Sequence, residues 1–212
     1  MTASQGRAGV ERIESDGQVV VSVRVPTGRY VDQFLRLRCG EILVTNRIFL
    51  HAKDIGESFA AIAVAMGCGA ADTKDSSVTA VCVGDGRTPR TAATLALRTK
   101  WRCLSVDPQL DVDLVERWPH PIERLEVHNR RVQRLAADFD GPVIVVAVHA
   151  HVRLATAVAT IASRGGDVVA AISVPCCSFR ATALPSFALE REHEDWGIWS
   201  PERVVQLWRP AH

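Results

Sequence analysis

Lysine is scarce in this 212-residue chain: Lys53, Lys74 and Lys100 are its only lysines, although Lys+Arg number 25. Aromatic residues make up 6%, with one tyrosine, and methionine occurs twice. No stretch approaches the roughly 18 consecutive apolar residues that span a bilayer, which excludes a membrane-crossing helix. Residues 1–16 lack the apolar centre of a secretory signal and read as a polar leader. The six cysteines, Cys39, Cys68, Cys82, Cys103, Cys176 and Cys177, form no CxxC pair and no disulfide framework. That pattern predicts free thiols in a reducing, cytoplasmic setting. The formal net charge is +1, so bulk electrostatics selects no partner. The preference for arginine suits bidentate phosphate recognition, and GC-rich coding would produce it equally.

What is present is a chain that is 47% apolar, enough to bury the core of one large domain. "QVVVSVRVP" alternates Val19, Val21, Val23 and Val25 on one side and reads as a half-buried strand. A second apolar run covers 41–50, and "DIGESFAAIAVAM" reads as a helix with Asp54 as its N-cap, closed by Gly67. These elements form an N-terminal segment over 17–75. From about residue 76 to the end, short apolar runs alternate with amphipathic ones. "VTAVCVG", "RCLSVD", "IERLEV", "VIVVAVH", "DVVAAISV" and "RVVQLWRP" read as strands. "PRTAATLALRTK", "NRRVQRLAADF" and "VRLATAVATIASR" read as helices, and "EREHED" (190–195) as an exposed loop. Such alternation predicts an α/β fold, a parallel-rich sheet with helices on both faces.

The turn "GDGRTP" sits where a strand hands over to a helix, the context of a nucleotide cradle. Gly84 and Gly86 permit tight backbone and close approach of a ligand, Asp85 lies between them, Thr88 can cap the helix, and Pro89 suits its first turn. Asp107 ends the next strand, close to the offset of about 20 residues at which an acid holds ribose hydroxyls. Pro89 occupies the place where a dinucleotide fingerprint wants a third small residue, which argues against NAD and FAD. No GxxxxGK[ST] phosphate loop is present.

This pattern resembles the class I S-adenosylmethionine-dependent methyltransferases over about residues 54 to 208. The resemblance implies a Rossmann-like sheet of order 3-2-1-4-5 plus a C-terminal strand, with 76–212 as the methyltransferase-like domain. It implies S-adenosylmethionine as cofactor, held by Gly84, Asp85, Gly86, Thr88 and Asp107. Where the family usually carries an acid two places before the first glycine, this sequence has Cys82. "VHAHV" and "PCC" are similar to a branch with a histidine segment after strand four and a Cys-Cys pair after strand five. Members of that branch include tRNA ribose methyltransferases, which implies RNA as acceptor. His149 and His151 are then the candidate catalytic residues, as general base or acceptor anchor. Two further readings stay open: the two histidines with Cys176 and Cys177 as zinc ligands, or one histidine as a satisfied packing residue and the cysteines as small buried hydrophobes. Arg87, Arg90, Arg98, Lys100 and Arg102 surround the turn and its helix, as contacts to an RNA backbone or as a solvated face. The competing functional reading is a non-catalytic member of the fold acting as a binding or assembly module.

Overall fold

The computed structural model describes residues 9–15, 18–176 and 180–211. Strands β1 (Gly9–Ser15) and β2 (Gln18–Arg24) pair antiparallel as a separate two-stranded sheet, Gly9 opposite Arg24 and Ser15 opposite Gln18. Part of the stretch expected to be a leader is therefore strand. Helices α1 (Arg29–Leu35), α2 (Gly40–Thr45) and α3 (Ala52–Gly67) follow. The apolar run at 41–50 thus begins as a helix, burying Leu43, and then turns to bury Ile48.

The remaining elements are β3 (Thr79–Val83), α4 (Arg90–Arg98), β4 (Arg102–Val106), α5 (Val112–Glu116), β5 (Leu125–His128), β6 (Pro142–Val148), α6 (Leu154–Ala162), β7 (Asp167–Val174), β8 (Phe187–Glu194) and β9 (Val204–Pro210). They build one seven-stranded sheet in the order β5-β4-β3-β6-β7-β9-β8. The first five strands are parallel and reproduce the expected 3-2-1-4-5 order. β9 then pairs antiparallel with both β7 and β8.

Strand alternation sorts the core into two layers. Ile144, Val146 and Val148 of β6 face the layer that holds Phe59, Ala60 and Ile62 of α3 and Leu95 of α4. Val143, Val145 and Ala147 face Leu154, Val158 and Ile161 of α6. Full burial of a Leu, Val or Ile side chain contributes about 1.5–3 kcal/mol, so this two-sided covering is the main source of cohesion. Tyr30 and Phe34 of α1 join the α3 layer, which places the helices of 17–75 in the same core as the sheet.

Two expectations need correction. The helix expected over 129–139 is a single 3-10 turn, Val132–Arg134. Only Val132 and Leu135 are buried there, and Asn129 turns its amide to the Leu110 carbonyl, so the segment packs as a loop under α6. The expected loop 190–195 is mostly β8, an exposed edge strand held by backbone pairing to β9. Its side chains bury almost nothing, which is why no apolar pattern marks it.

Candidate active site

The glycine turn joins β3 to α4 at the carboxyl edge of the sheet. Gly84 has φ +81°, and a Cβ there would lie 2.5 Å from Cα of Ala150. Its lack of a side chain is therefore required by the close approach of the chain leaving β6. Gly86 has φ +80° with only the Arg90 guanidinium nearby, 3.5 Å from an added Cβ. At Gly86 the demand is for backbone conformation, and the space beside it stays open to a ligand.

Asp85 is the helix cap that the sequence assigned to Thr88. Its buried carboxylate accepts from the Thr91 N–H at 2.8 Å, the Ala92 N–H at 3.1 Å and the Ser105 hydroxyl at 3.0 Å. Burial pushes this carboxyl above its ordinary range, and the amide bonds oppose the shift. Thr88 instead donates to the Ile48 carbonyl at 2.8 Å, fastening the loop after α2 to the turn. Pro89 directly precedes the first helical residue. Cys82 lies buried in β3 among the apolar side chains on the α3 side, and burial holds its thiol neutral. The carboxyl group beneath the turn is thus that of Asp85.

Asp107 follows β4. Its Oδ2 accepts the Gly86 N–H at 2.9 Å and its Oδ1 accepts the Gln109 N–H at 2.7 Å. A carboxylate offers about four lone-pair sites, so about two remain for hydroxyl donors.

His149 follows β6 with φ +49°, an uncommon conformation for a residue with a side chain. Its N–H donates to the Val174 carbonyl at 2.8 Å, tying the ends of β6 and β7. Its Nε2 is sealed from solvent and lies 3.6 Å from Oε1 of Glu57. Glu57, on α3, is 3% exposed and accepts a hydrogen bond from the Ser200 hydroxyl. Burial lowers the His149 pKa, and the attraction of Glu57 opposes that shift. One turn earlier on α3, Asp54 pairs with Arg90 at 2.7 Å.

A cavity of about 570 Å³ brings these groups together. Gly84, Gly86, Asp107, His149 and His151 all line it, with Arg90, Gln109, Arg131 and Gln133 as further polar groups. Asp85 and Thr88 are not among its lining. Cys176 is buried and also outside the lining, and Cys177 lies outside the described residues. Among the described residues, no group of three or more His, Cys, Asp or Glu side chains is placed to hold a metal ion. Glu57 and Arg131 escaped the sequence reading. The signal for Glu57 was present: Asp54 and Glu57 are two acids three residues apart at the start of a helix whose remainder, from Phe59 to Gly67, is apolar.

The arginines around the turn are largely occupied. Arg87 pairs with Asp111 at 2.9 Å, Arg90 with Asp54, and Arg102 with Glu126 at 2.6 Å, while Arg98 lies over the Phe59 ring. No helix among the described residues is long and apolar enough to cross a membrane.

No protein-family model and no curated protein matches the sequence. Solved structures do match the fold. The 1,6-didemethyltoxoflavin-N1-methyltransferase of Burkholderia thailandensis, solved with bound 1,6-didemethyltoxoflavin and S-adenosylhomocysteine, superposes with a TM-score of 0.52 at 14% identity. The match covers 98% of this chain and 97% of that one. A mutant of MtNAS matches with a TM-score of 0.50 at 11% identity, over 87% of this chain and 70% of that one. The chain has the Rossmann-like fold of the class I S-adenosylmethionine-dependent methyltransferases.

Proposed function

We propose that the protein is an S-adenosylmethionine-dependent methyltransferase acting on a small molecule. The observation that carries this reading is the convergence of Gly84, Gly86 and Asp107 on one cavity at the carboxyl edge of the sheet. In open α/β sheets, ligands bind at that edge where the strand order reverses, here between β3 and β6. The volume lies within the range of about 300–1,000 Å³ common to small-molecule sites. Asp107 suits the ribose hydroxyls through its spare lone pairs. Val83, Val106 and Val132 supply an apolar wall. When bound, the cofactor supplies an electrophilic methyl group; the chain contributes position and orientation.

The arginines read as possible contacts to an RNA backbone lend that acceptor little support, because Arg87, Arg90, Arg98 and Arg102 are engaged within the protein. A small acceptor reaching the cavity beside His149 fits a site of this volume better. The second reading, a binding module that kept the scaffold, draws on the neutral thiol of Cys82 at the position where the family carries an acid. Calorimetric titration with S-adenosylhomocysteine decides the matter. Binding in the wild type that weakens in Asp107→Ala supports the enzyme reading, and no heat at millimolar ligand overturns it.

A further inference from the structure

We infer that Glu57, His149 and Ser200 form a proton-accepting relay in the cavity wall, so that the methyl acceptor carries a dissociable N–H or O–H. The substrate class rests on the methyltransferase reading; the relay itself rests on geometry alone. Glu57 is a carboxylate buried on α3, and such a group needs compensating partners. The neighbouring cation is already taken, because Arg90 pairs with Asp54 at 2.7 Å. What faces Oε1 of Glu57 is the Ser200 hydroxyl and Nε2 of His149.

That Nε2 has no hydrogen-bond partner and no contact with solvent, while the side chain as a whole is 25% exposed and lines the cavity. A proton on Nε2, directed at Glu57, is the arrangement that satisfies both groups. Nδ1 then keeps its lone pair as the ring's remaining nitrogen. The left-handed backbone of His149, fixed by the bond to Val174, holds the ring in this position. Lys53, Arg90 and Glu202 also act on the imidazole, and Glu57 exerts the largest electrostatic influence on it.

During transfer, the acceptor's lone pair forms a bond to the methyl carbon, and the carbon–sulfur bond breaks with its electron pair going to sulfur. The acceptor's proton passes to Nδ1 of His149. The resulting imidazolium is stabilised by the facing carboxylate of Glu57. His149 is the catalytic residue of this scheme, and Glu57 and Ser200 are positioning residues. An acceptor with no proton to lose, such as a thioether, would make no use of the relay.

The test is an NMR titration of the full-length protein labelled with 15N in its imidazoles, which reads both the tautomer and the proton affinity of His149. The wild type should show the proton on Nε2 in neutral His149. Glu57→Gln should lower the proton affinity of His149 by at least about tenfold, the effect expected on losing an opposite charge at this range. Ser200→Ala keeps the charge but removes a donor from it, and should raise the affinity, which keeps the relay testable if Glu57→Gln fails to fold. A wild type with its proton on Nδ1, or a His149 unmoved in both variants, overturns the relay. Calorimetry with S-adenosylhomocysteine on the same samples separates the two readings. Binding retained in Glu57→Gln supports the assignment of Glu57 to proton handling, whereas no binding by the wild type overturns the cofactor reading and leaves the titration to judge the relay. Incubation with methyl-labelled cofactor and a panel of phenols, azoles and bulk tRNA then tests the acceptor. Label in a phenol or azole supports the class, whereas label in tRNA, whose hydroxyls also carry a proton, overturns the small-molecule reading and not the relay.

Discussion

Gly86 donates its backbone N–H to Oδ2 of Asp107 across 2.9 Å, so the turn after β3 and the acid after β4 are one hydrogen-bonded unit. Asp107→Ala removes that acceptor and the one for Gln109. Losing a hydrogen bond to a charged group costs about 1.5–3 kcal/mol. The variant should therefore bind S-adenosylhomocysteine at least about tenfold more weakly by calorimetry. Asp107→Asn should lose less, because its amide oxygen still accepts one of the two N–H groups.

The two glycines of the turn should respond differently to alanine. At Gly84 a methyl group meets the backbone of Ala150, and overpacking of about 1–3 kcal/mol adds to the left-handed strain of about 1–2 kcal/mol. At Gly86 only the strain applies, since the nearest atom belongs to a flexible arginine. Urea unfolding should rank Gly84→Ala well below Gly86→Ala in stability. Equal losses would refute the close approach of Ala150.

Asp85→Ala should destabilise the protein by about 2 kcal/mol or more. The change deletes a helix cap, typically about 1 kcal/mol, and orphans the buried Ser105 hydroxyl. Thr88→Val, which loses one bond to Ile48, should cost about 1 kcal/mol. A double-mutant cycle of Asp85→Ala with Ser105→Ala should show positive coupling, because the two losses share one contact.

Much of this architecture was legible because Val-rich runs such as 142–148 are buried on both faces and bounded by turns. Such short runs have the character of buried parallel strands. The positions of Gly84, Gly86 and Asp107 followed from the strand ends. The parts that stayed hidden involve contacts between distant segments. Thr88 has the chemistry of a cap, yet Ile48, forty residues earlier, claims its hydroxyl. Ser200 approaches Glu57 across 143 residues, and no local spacing announces such a pairing. β8 escaped because it is held mainly by backbone pairing to β9 and its side chains stay largely exposed, which leaves no apolar pattern in the sequence.

Acid should destabilise the fold partly through His149. Burial holds its folded pKa below the ordinary value of about 6.5, so the unfolded chain takes up the proton first as pH falls. Stability should thus rise with pH through the window from the folded value up to about 6.5 and level off above it. His128, also lowered by burial, contributes in the same direction. The difference between wild type and His149→Asn isolates the one group. Urea midpoints at pH 5.5 and 7.5 should converge in the variant relative to the wild type, and an identical pH dependence would show that His149 is not held neutral.

The place of β9 between β7 and β8 bears on the order in which the molecule can assemble during translation. β8 leaves the ribosome before β9, yet among the sheet strands it pairs only with β9. Until Val204–Pro210 has been made, β8 has no strand to join and β7 stands as an open, apolar edge. An open edge invites pairing with other chains. The nascent protein is therefore most exposed to aggregation in the interval between the synthesis of β7 and that of β9, when five parallel strands are in place and their outer edge is bare.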